Sequence, residues 1–159
     1  MPVSGCDFFD PYNYASVRQP LERASHLPAR CYTAQTFYDR EVARIFMRHW
    51  NFIGRAEQIP ARGDIITIEL AGVAVIVARG NDGALRAFVN SCRHRGARLL
   101  SGEGNCGHSI ACNYHSWTYD LDGRLIATPG MEGIDGFEPA EFGLQPVRLA
   151  DWDGFLFVN

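Results

Sequence analysis

The spacing of apolar residues follows a helical period before it changes to a strand period. Across residues 34–52 the apolar side chains recur at intervals of three and four residues, and they are Val42, Ile45, Phe46 and Trp50. This spacing predicts an amphipathic helix with Thr33 as its N-cap. Four closely spaced prolines precede it and prevent long regular elements. The sequence therefore predicts an N-terminal arm over residues 1–33 and a helix over residues 34–52 that packs on the rest of the molecule.

Alternating apolar and polar residues take over after Gly63 and indicate β-strands. The segments with this pattern are, in chain order, 64–70, 73–79, 84–90, 117–121, 124–127 and 154–159. Short turn sequences such as Ala71-Gly72 and Asp122-Gly123 separate neighbouring segments and predict antiparallel hairpins. We expect a mainly β, antiparallel domain over residues 53–159.

Composition narrows the classes of function. The 159 residues, 47% hydrophobic and 12% aromatic, are enough to bury one core. A formal net charge of −3 without a Lys/Arg run argues against a nucleic-acid partner. The N-terminus does not resemble a signal peptide and no long apolar run occurs, so we expect a cytoplasmic protein that does not contact membranes. The five cysteines fit a reducing compartment, and three are predicted to be unpaired: Cys6, Cys31 and Cys106.

Two mixed pairs of metal-binding residues, Cys92-Arg93-His94 and Cys112-Asn113-Tyr114-His115, have seventeen residues between them. Each pair supplies one thiolate and one imidazole, so both sulfurs can bind one metal ion and both nitrogens another. That division is the ligand set of a Rieske 2Fe-2S cluster. A single zinc ion is an alternative, although zinc fingers commonly group Cys with Cys and His with His. A cysteine nucleophile with a histidine base is another, and it would leave the second pair without a purpose.

The flanking residues extend the match. Arg95-Gly96 follows the first pair, and Ser116-Trp117 follows the second. The sequence closely resembles the Rieske domain of ring-hydroxylating oxygenase alpha subunits, whose motif is a C-x-H pair followed by a C-x2-H pair. One departure is Ser116, where the family usually has glycine. Respiratory-chain Rieske proteins join the two loops by a disulfide, and here Ala97 and Asn113 occupy the comparable positions, which indicates the oxygenase or ferredoxin branch.

The resemblance implies a Rieske-type antiparallel β-sandwich or barrel with two cluster-binding loops, preceded by the arm and the one helix. It implies a 2Fe-2S cluster whose four ligands are Cys92, His94, Cys112 and His115. We expect electrons to leave through the two histidines, because an imidazole that binds iron through one nitrogen keeps the other free for an outward hydrogen bond. The residues expected to surround the cluster are Arg95, Gly96, Tyr114 and Trp117.

The implied function is a one-electron relay that feeds the mononuclear non-haem iron of a Rieske oxygenase, an oxidoreductase that hydroxylates an aromatic or other small organic substrate. In the family, a larger catalytic domain binds that Fe(II) through two histidines and a carboxylate. The remaining histidines, His26, His49 and His108, form no D-x2-H-x4-H arrangement that could supply this triad. We therefore expect no catalytic residue in this chain and a catalytic domain that lies outside it.

The resemblance also implies the partners. They are a reductase or ferredoxin electron donor and the catalytic domain of the same or a neighbouring subunit, and the full-length protein is expected to be a homo-oligomer. The segments Gly136-Phe137, Phe142-Gly143-Leu144 and Pro146-Val147 resemble those of oxygenases that act on choline-like substrates. A free-standing Rieske ferredoxin is the alternative, and the arm and helix before residue 63 argue against it.

Overall fold

The computed structural model describes residues 7–159, and most of its regular structure is β-strand. Cys6, predicted to be unpaired, lies outside the described residues. The chain divides into two compact units, one that ends at Arg48 and one that begins at His49.

The unit that ends at Arg48 contains short helical segments. They are a 3-10 turn at Pro11–Tyr14, helix α1 (Arg30–Thr33), helix α2 (Gln35–Glu41) and a π-helical turn at Val42–Phe46 that continues α2. Within the described part of the chain, no helix is both long enough and apolar enough to cross a membrane.

The helix predicted over residues 34–52 begins within one residue of the expected start, but its N-cap and its C-terminal end differ from the prediction. Ala34 is the N-cap of α2, with an extended backbone (φ −86°, ψ 123°) and no capping side-chain hydrogen bond. Thr33 is the last residue of α1, and its hydroxyl donates to the Ala29 carbonyl at 3.4 Å. The helical turns end at Phe46, and Trp50 directly precedes a strand whose pairing in a sheet takes priority over helical periodicity.

The unit that begins at His49 contains the strands. In chain order they are β1 (Asn51–Arg55), β2 (Asp64–Leu70), β3 (Val73–Arg79), β4 (Leu85–Val89), β5 (Glu103–Asn105), β6 (Ser109–Ala111), β7 (Thr118–Asp120), β8 (Leu125–Ala127), β9 (Pro146–Val147), β10 (Leu149–Trp152) and β11 (Phe155–Val158). Two 3-10 turns interrupt them, at Ala56–Gln58 and Pro139–Phe142.

The strands form three sheets in which every pairing recorded for residues 7–159 is antiparallel. Their strand orders are β1-β11-β10, β5-β2-β3-β4-β9 and β6-β7-β8. The predicted mainly β, antiparallel fold is confirmed. Within that range none of the three sheets closes on itself, so the barrel form of the prediction is not adopted.

Strand β3 separates two apolar cores, because successive side chains of a strand point to opposite faces. Ile76 and Ala78 belong to one core, which also contains Cys92, Cys112, Trp117 and Tyr119. Val75 and Val77 belong to the other, which includes Leu156 and Val158 of β11. A strand buried on both faces reads as a continuous apolar run, as the sequence of β3 does.

The β1-β11-β10 sheet has one buried face and one exposed aromatic face. The exposed residues are Trp50 (50% exposed), Phe52 (56%), Trp152 (73%) and Phe155 (39%). Trp152 lies opposite Phe155 in the ladder, and the Phe52 ring lies 6.0 Å from the Phe155 ring. We call these four residues the aromatic face. Exposed apolar patches are one feature of interaction surfaces.

The central position of β3 makes Ile76 a test of the fold. Ile76 is fully buried, so Ile76→Ala should lower the free energy of unfolding by about 2–5 kcal/mol through lost burial and a residual cavity. Ile126→Ala is the control, because Ile126 is 57% exposed and its truncation should change stability by less than about 0.5 kcal/mol. Urea unfolding measures both, and equal losses would contradict the core described above.

Candidate metal centre

The first loop, residues 92–97, follows β4 and folds back on itself. The Cys92 carbonyl accepts a hydrogen bond from the Gly96 N–H at 2.8 Å, and the Cys92 N–H donates to the Ala97 carbonyl at 2.8 Å. Gly96 has a φ of 72°, a left-handed conformation that glycine adopts without steric strain. In a straight strand, Cys92 and His94 would lie about 6.6 Å apart on one face. The reversal replaces that extended geometry with a tight turn.

The second loop, residues 112–117, repeats this geometry between β6 and β7. The Cys112 carbonyl accepts from the Ser116 N–H at 2.9 Å, and the Cys112 N–H donates to the Trp117 carbonyl at 2.8 Å. Ser116 has a φ of 58°, so it occupies the position equivalent to Gly96 of the first loop. A residue with a Cβ is strained there by about 1–2 kcal/mol. The glycine usual in the family and the serine found here thus meet the same backbone requirement.

The four candidate ligands differ in burial by residue type. Cys92 and Cys112 are 4% and 3% exposed, whereas His94 and His115 are only partly buried. The two imidazole rings lie side by side, with 4.7 Å between their centroids. The thiols therefore lie in the core and the imidazoles lie nearer to the surface.

The four candidate ligands fall into two groups by residue type. Within residues 7–159, no three His, Cys, Asp or Glu side chains are close enough to hold one metal ion. A structural zinc site needs four such groups around a single ion. Two cysteines in the core and two adjacent histidines instead fit a ligand set that is divided between two irons.

The histidines have the properties of metal ligands. The Nδ1 atom of His115 is buried and has no hydrogen-bond partner, which is rare for a buried nitrogen and fits an atom that binds a metal. Burial lowers the pKa of His94, and the nearby His115 and Arg95 lower it further. The neutral imidazole is the form that binds metals.

Aromatic side chains border both histidines. Trp117 is 2% exposed and stacks on the His94 ring, with 4.8 Å between centroids and 11° between planes. Tyr114 is 61% exposed, and its ring centroid lies 3.8 Å from that of His115. Of the other two residues predicted to surround the site, Arg95 is exposed in the turn and Gly96 closes it.

Tyr119 is a residue of the site that the motif did not indicate. It is fully buried, and its hydroxyl oxygen lies 3.3 Å from the Cys92 sulfur and accepts a hydrogen bond from the Arg93 N–H at 2.9 Å. Burial raises the pKa of Tyr119, and the contact with Cys92 adds to this, so the hydroxyl keeps its proton. The Tyr119 oxygen already accepts a hydrogen bond from the Arg93 N–H, so the hydroxyl proton is free to point at the Cys92 sulfur. Tyr119 lies two residues after Trp117, so in a strand both side chains point to the same face. That spacing was the available sequence signal that Tyr119 points into the core.

Cys106 and His108, both in the strand-rich unit, have partners other than the four candidate ligands. Cys31 and Cys106 are free, as predicted, and the Cys106 thiol donates to the Gly63 carbonyl at 3.3 Å. His108 Nδ1 lies 3.2 Å from the side-chain oxygen of Asn81.

Comparison with known proteins assigns the strand-rich unit to one family. The Rieske [2Fe-2S] domain matches residues 49–138. The carnitine monooxygenase oxygenase subunit of Escherichia coli (strain K12) is 38% identical over 153 residues, which cover 96% of this chain and 40% of that protein. Biphenyl 2,3-dioxygenase subunit alpha of Rhodococcus jostii (strain RHA1) is 37% identical over 139 residues, which cover 87% of this chain and 30% of that protein.

Solved structures agree with this assignment. The apo form of the quaternary ammonium Rieske monooxygenase CntA superimposes with a TM-score of 0.81 at 33% identity, covering 86% of this chain and 40% of that chain. The chain therefore spans well under half the length of the relatives that it matches.

The two left-handed positions should respond to substitution in opposite directions. Gly96→Ala should lower the free energy of unfolding by about 1 kcal/mol, and by backbone strain alone, since the nearest atom to an added Cβ is the Ser91 hydroxyl at 3.8 Å. Ser116→Gly should raise it by less than about 1 kcal/mol, because relief of strain exceeds the added chain entropy.

Urea unfolding measures both changes. Ala71→Gly is the matched control, because Ala71 has a φ of 49° in the turn between β2 and β3, outside both loops. It should also stabilise the protein. Destabilisation by Ser116→Gly would show that the strain at this position is absent.

Proposed function

This chain belongs to the Rieske 2Fe-2S domain family, and from that premise we propose that it is the one-electron relay of a Rieske oxygenase alpha subunit. The observation that carries the proposal is the pairing of two buried cysteines with two partly exposed histidines on two loops of equivalent backbone geometry. Its relatives are Rieske monooxygenases and dioxygenases, which are oxidoreductases, and the family implies a 2Fe-2S cluster as cofactor.

We assign the four ligands by their burial. Cys92 and Cys112 would hold one iron in the core, and His94 and His115 would hold the other nearer to the surface, with Nδ1 of His115 as a ligand atom. When bound, a cluster of this type accepts and releases one electron at a time, at a potential above that of four-cysteine clusters because neutral imidazoles replace two thiolates.

The surrounding residues would then have distinct roles. Tyr119 donates a hydrogen bond to the Cys92 sulfur, which stabilises added negative charge. Trp117 holds the His94 ring by stacking and excludes water from its inner side. His94 and His115, with Tyr114 beside the latter, form the exposed side of the site and are the proposed electron exit.

The activity of the whole protein extends the proposal beyond this chain. Substrate hydroxylation would take place at a mononuclear Fe(II) held by residues outside the chain, since the chain covers 40% of the carnitine monooxygenase subunit. The relatives act on two substrate classes by name, quaternary ammonium compounds and aromatic compounds. We favour the first class, because CntA superimposes with a TM-score of 0.81, against 0.71, 0.73 and 0.78 for three naphthalene 1,2-dioxygenase structures.

The proposed partners follow from the same relatives. They are a reductase or ferredoxin as electron donor and a catalytic domain of the same or a neighbouring subunit in a homo-oligomer. The structure of a related quaternary ammonium Rieske monooxygenase gives insights into inter-subunit electron transfer. We infer that a larger domain covers the exposed aromatic face. This inference favours an oxygenase subunit over a free-standing ferredoxin. We also propose a cytoplasmic location, supported by the free thiols.

Metal analysis tests the proposed function. Protein produced with iron and sulfide available should contain two irons and two sulfides and show a rhombic EPR signal only after reduction. Cys92→Ser or Cys112→Ser should abolish the cluster, because the thiolates carry the charge that holds ferric iron.

Cys106→Ser is the control and should leave the cluster intact. Stoichiometric zinc without a reducible chromophore would refute the proposal. Loss of the cluster in Cys106→Ser would refute the ligand assignment alone.

The Tyr119 hydrogen bond should be visible in the reduction potential. Tyr119→Phe removes one donor to a cluster sulfur while it keeps the buried ring, so the potential should fall by about 20–60 mV. Tyr114→Phe is the matched control, since Tyr114 is 61% exposed and should leave the potential unchanged. Redox titration followed by EPR measures both, and an unchanged potential in Tyr119→Phe would exclude the proposed donor.

A further inference from the structure

The chain just outside the two loops is held together by different means. The second loop lies between β6 and β7, and Ala111 pairs with Thr118 in the ladder just outside it. The first loop follows β4, whose neighbours in its sheet are β3 and β9. Residues 96–100, which follow the turn of the first loop, are not part of a strand. Both loops are closed by a backbone hydrogen bond between their end residues, but only the second has a ladder pair outside that bond. Outside the first loop, a side chain takes the place of the ladder pair.

The Asn90 side chain is that group. Its Oδ1 atom accepts hydrogen bonds from the N–H groups of Leu99 at 3.0 Å and Leu100 at 3.1 Å, and its Nδ2 atom donates to the Leu100 carbonyl at 2.7 Å. Its own backbone N–H donates to the Ala74 carbonyl on β3 at 2.8 Å. One residue thus connects the chain before the first loop, the chain after it and the central sheet.

The chemistry of the primary amide explains why asparagine stands here. A side-chain amide offers the same donor and acceptor groups as a peptide unit, and Asn90 uses three of the four hydrogen bonds available to it. Asn90 is buried, with 3% exposure. Leu99, which it binds, lies in the same core as Cys92 and Cys112.

We propose that Asn90 is the positioning residue of the first loop, a side-chain substitute for a β-bridge that fixes Cys92 and His94 relative to the second loop. This inference rests on the ligand assignment made under the proposed function. The second loop has its own ladder, so it does not depend on Asn90. Loss of the amide should therefore disturb His94 and leave His115 unchanged.

The expected difference between the two loops provides the test. The 159-residue protein is loaded with iron and sulfide, and pulsed EPR on the reduced cluster measures the nitrogen hyperfine couplings of the two imidazoles. Asn90→Ala should change one coupling and leave the other, and it should speed cluster loss to a chelator about tenfold or more. Two unchanged couplings with an unchanged rate of loss would overturn the proposal.

Asn105→Ala is the matched control. The Asn105 side chain also makes three hydrogen bonds, with Arg62, Asp64 and Gly107, outside both loops. Asn105 is exposed, so its loss should lower stability less than the loss of buried Asn90. A merely structural role for Asn90 predicts lower stability without a change confined to one coupling. The positioning role predicts unchanged couplings in Asn105→Ala.

Two further measurements keep the inference testable if Asn90→Ala does not fold. Asn90→Asp keeps the shape and both acceptor contacts but places a carboxyl oxygen in place of the donor against the Leu100 carbonyl, so it should alter the same single coupling. In the unsubstituted protein, the Leu99 and Leu100 amides should exchange with solvent about a hundredfold more slowly than free loop amides. Exchange of the Leu99 and Leu100 amides at the rate of free loop amides would overturn the proposed role of Asn90. Failure of the unsubstituted protein to take up a cluster would refute the proposed function, and amide exchange would then decide on Asn90 alone.

Discussion

The burial of two cysteine side chains at the starts of two reversed loops is the constraint on which the rest of the site depends. A thiolate is the form of cysteine that binds metal, and an ionised group in an apolar core is destabilising unless it is paired. The core accommodates Cys92 and Cys112 as neutral thiols or as ligands of a bound metal. Metal binding and the stability of this domain are therefore linked.

The difference in burial between sulfur and nitrogen ligands gives the site a direction. Strand β3 separates the core that contains both thiols from a second core, so the thiols are enclosed on that side. The imidazoles of His94 and His115 lie towards the surface, where a partner can approach them. An electron carrier needs this combination of a shielded centre and an accessible edge.

Residues outside the motif hold the site in place, each by a different interaction. Tyr119 binds the Cys92 sulfur and the Arg93 amide, Trp117 stacks on His94, and Asn90 joins the two ends of the first loop. These contacts are made by protein groups alone. They connect the two loops to each other and to the strands that carry them.

The sequence by itself determined the candidate ligands and the strands β2, β3, β4, β7, β8 and β11, because both depend on short-range order. The segments predicted as strands did not include β1, β5, β6, β9 and β10. The alternation of residues 64–70 and 73–79 matches β2 and β3, and the mixed Cys and His pairs indicated the family before any geometry was known. The predicted C-terminal end of the helix was wrong because pairing of β1 with β11, more than a hundred residues away, decides where the strand begins. Tyr119 and Asn90 acquire their roles from partners that lie 27 and 9–10 residues away in the chain. Only the tertiary structure brings such groups within hydrogen-bond distance, and local sequence patterns do not show which distant groups meet.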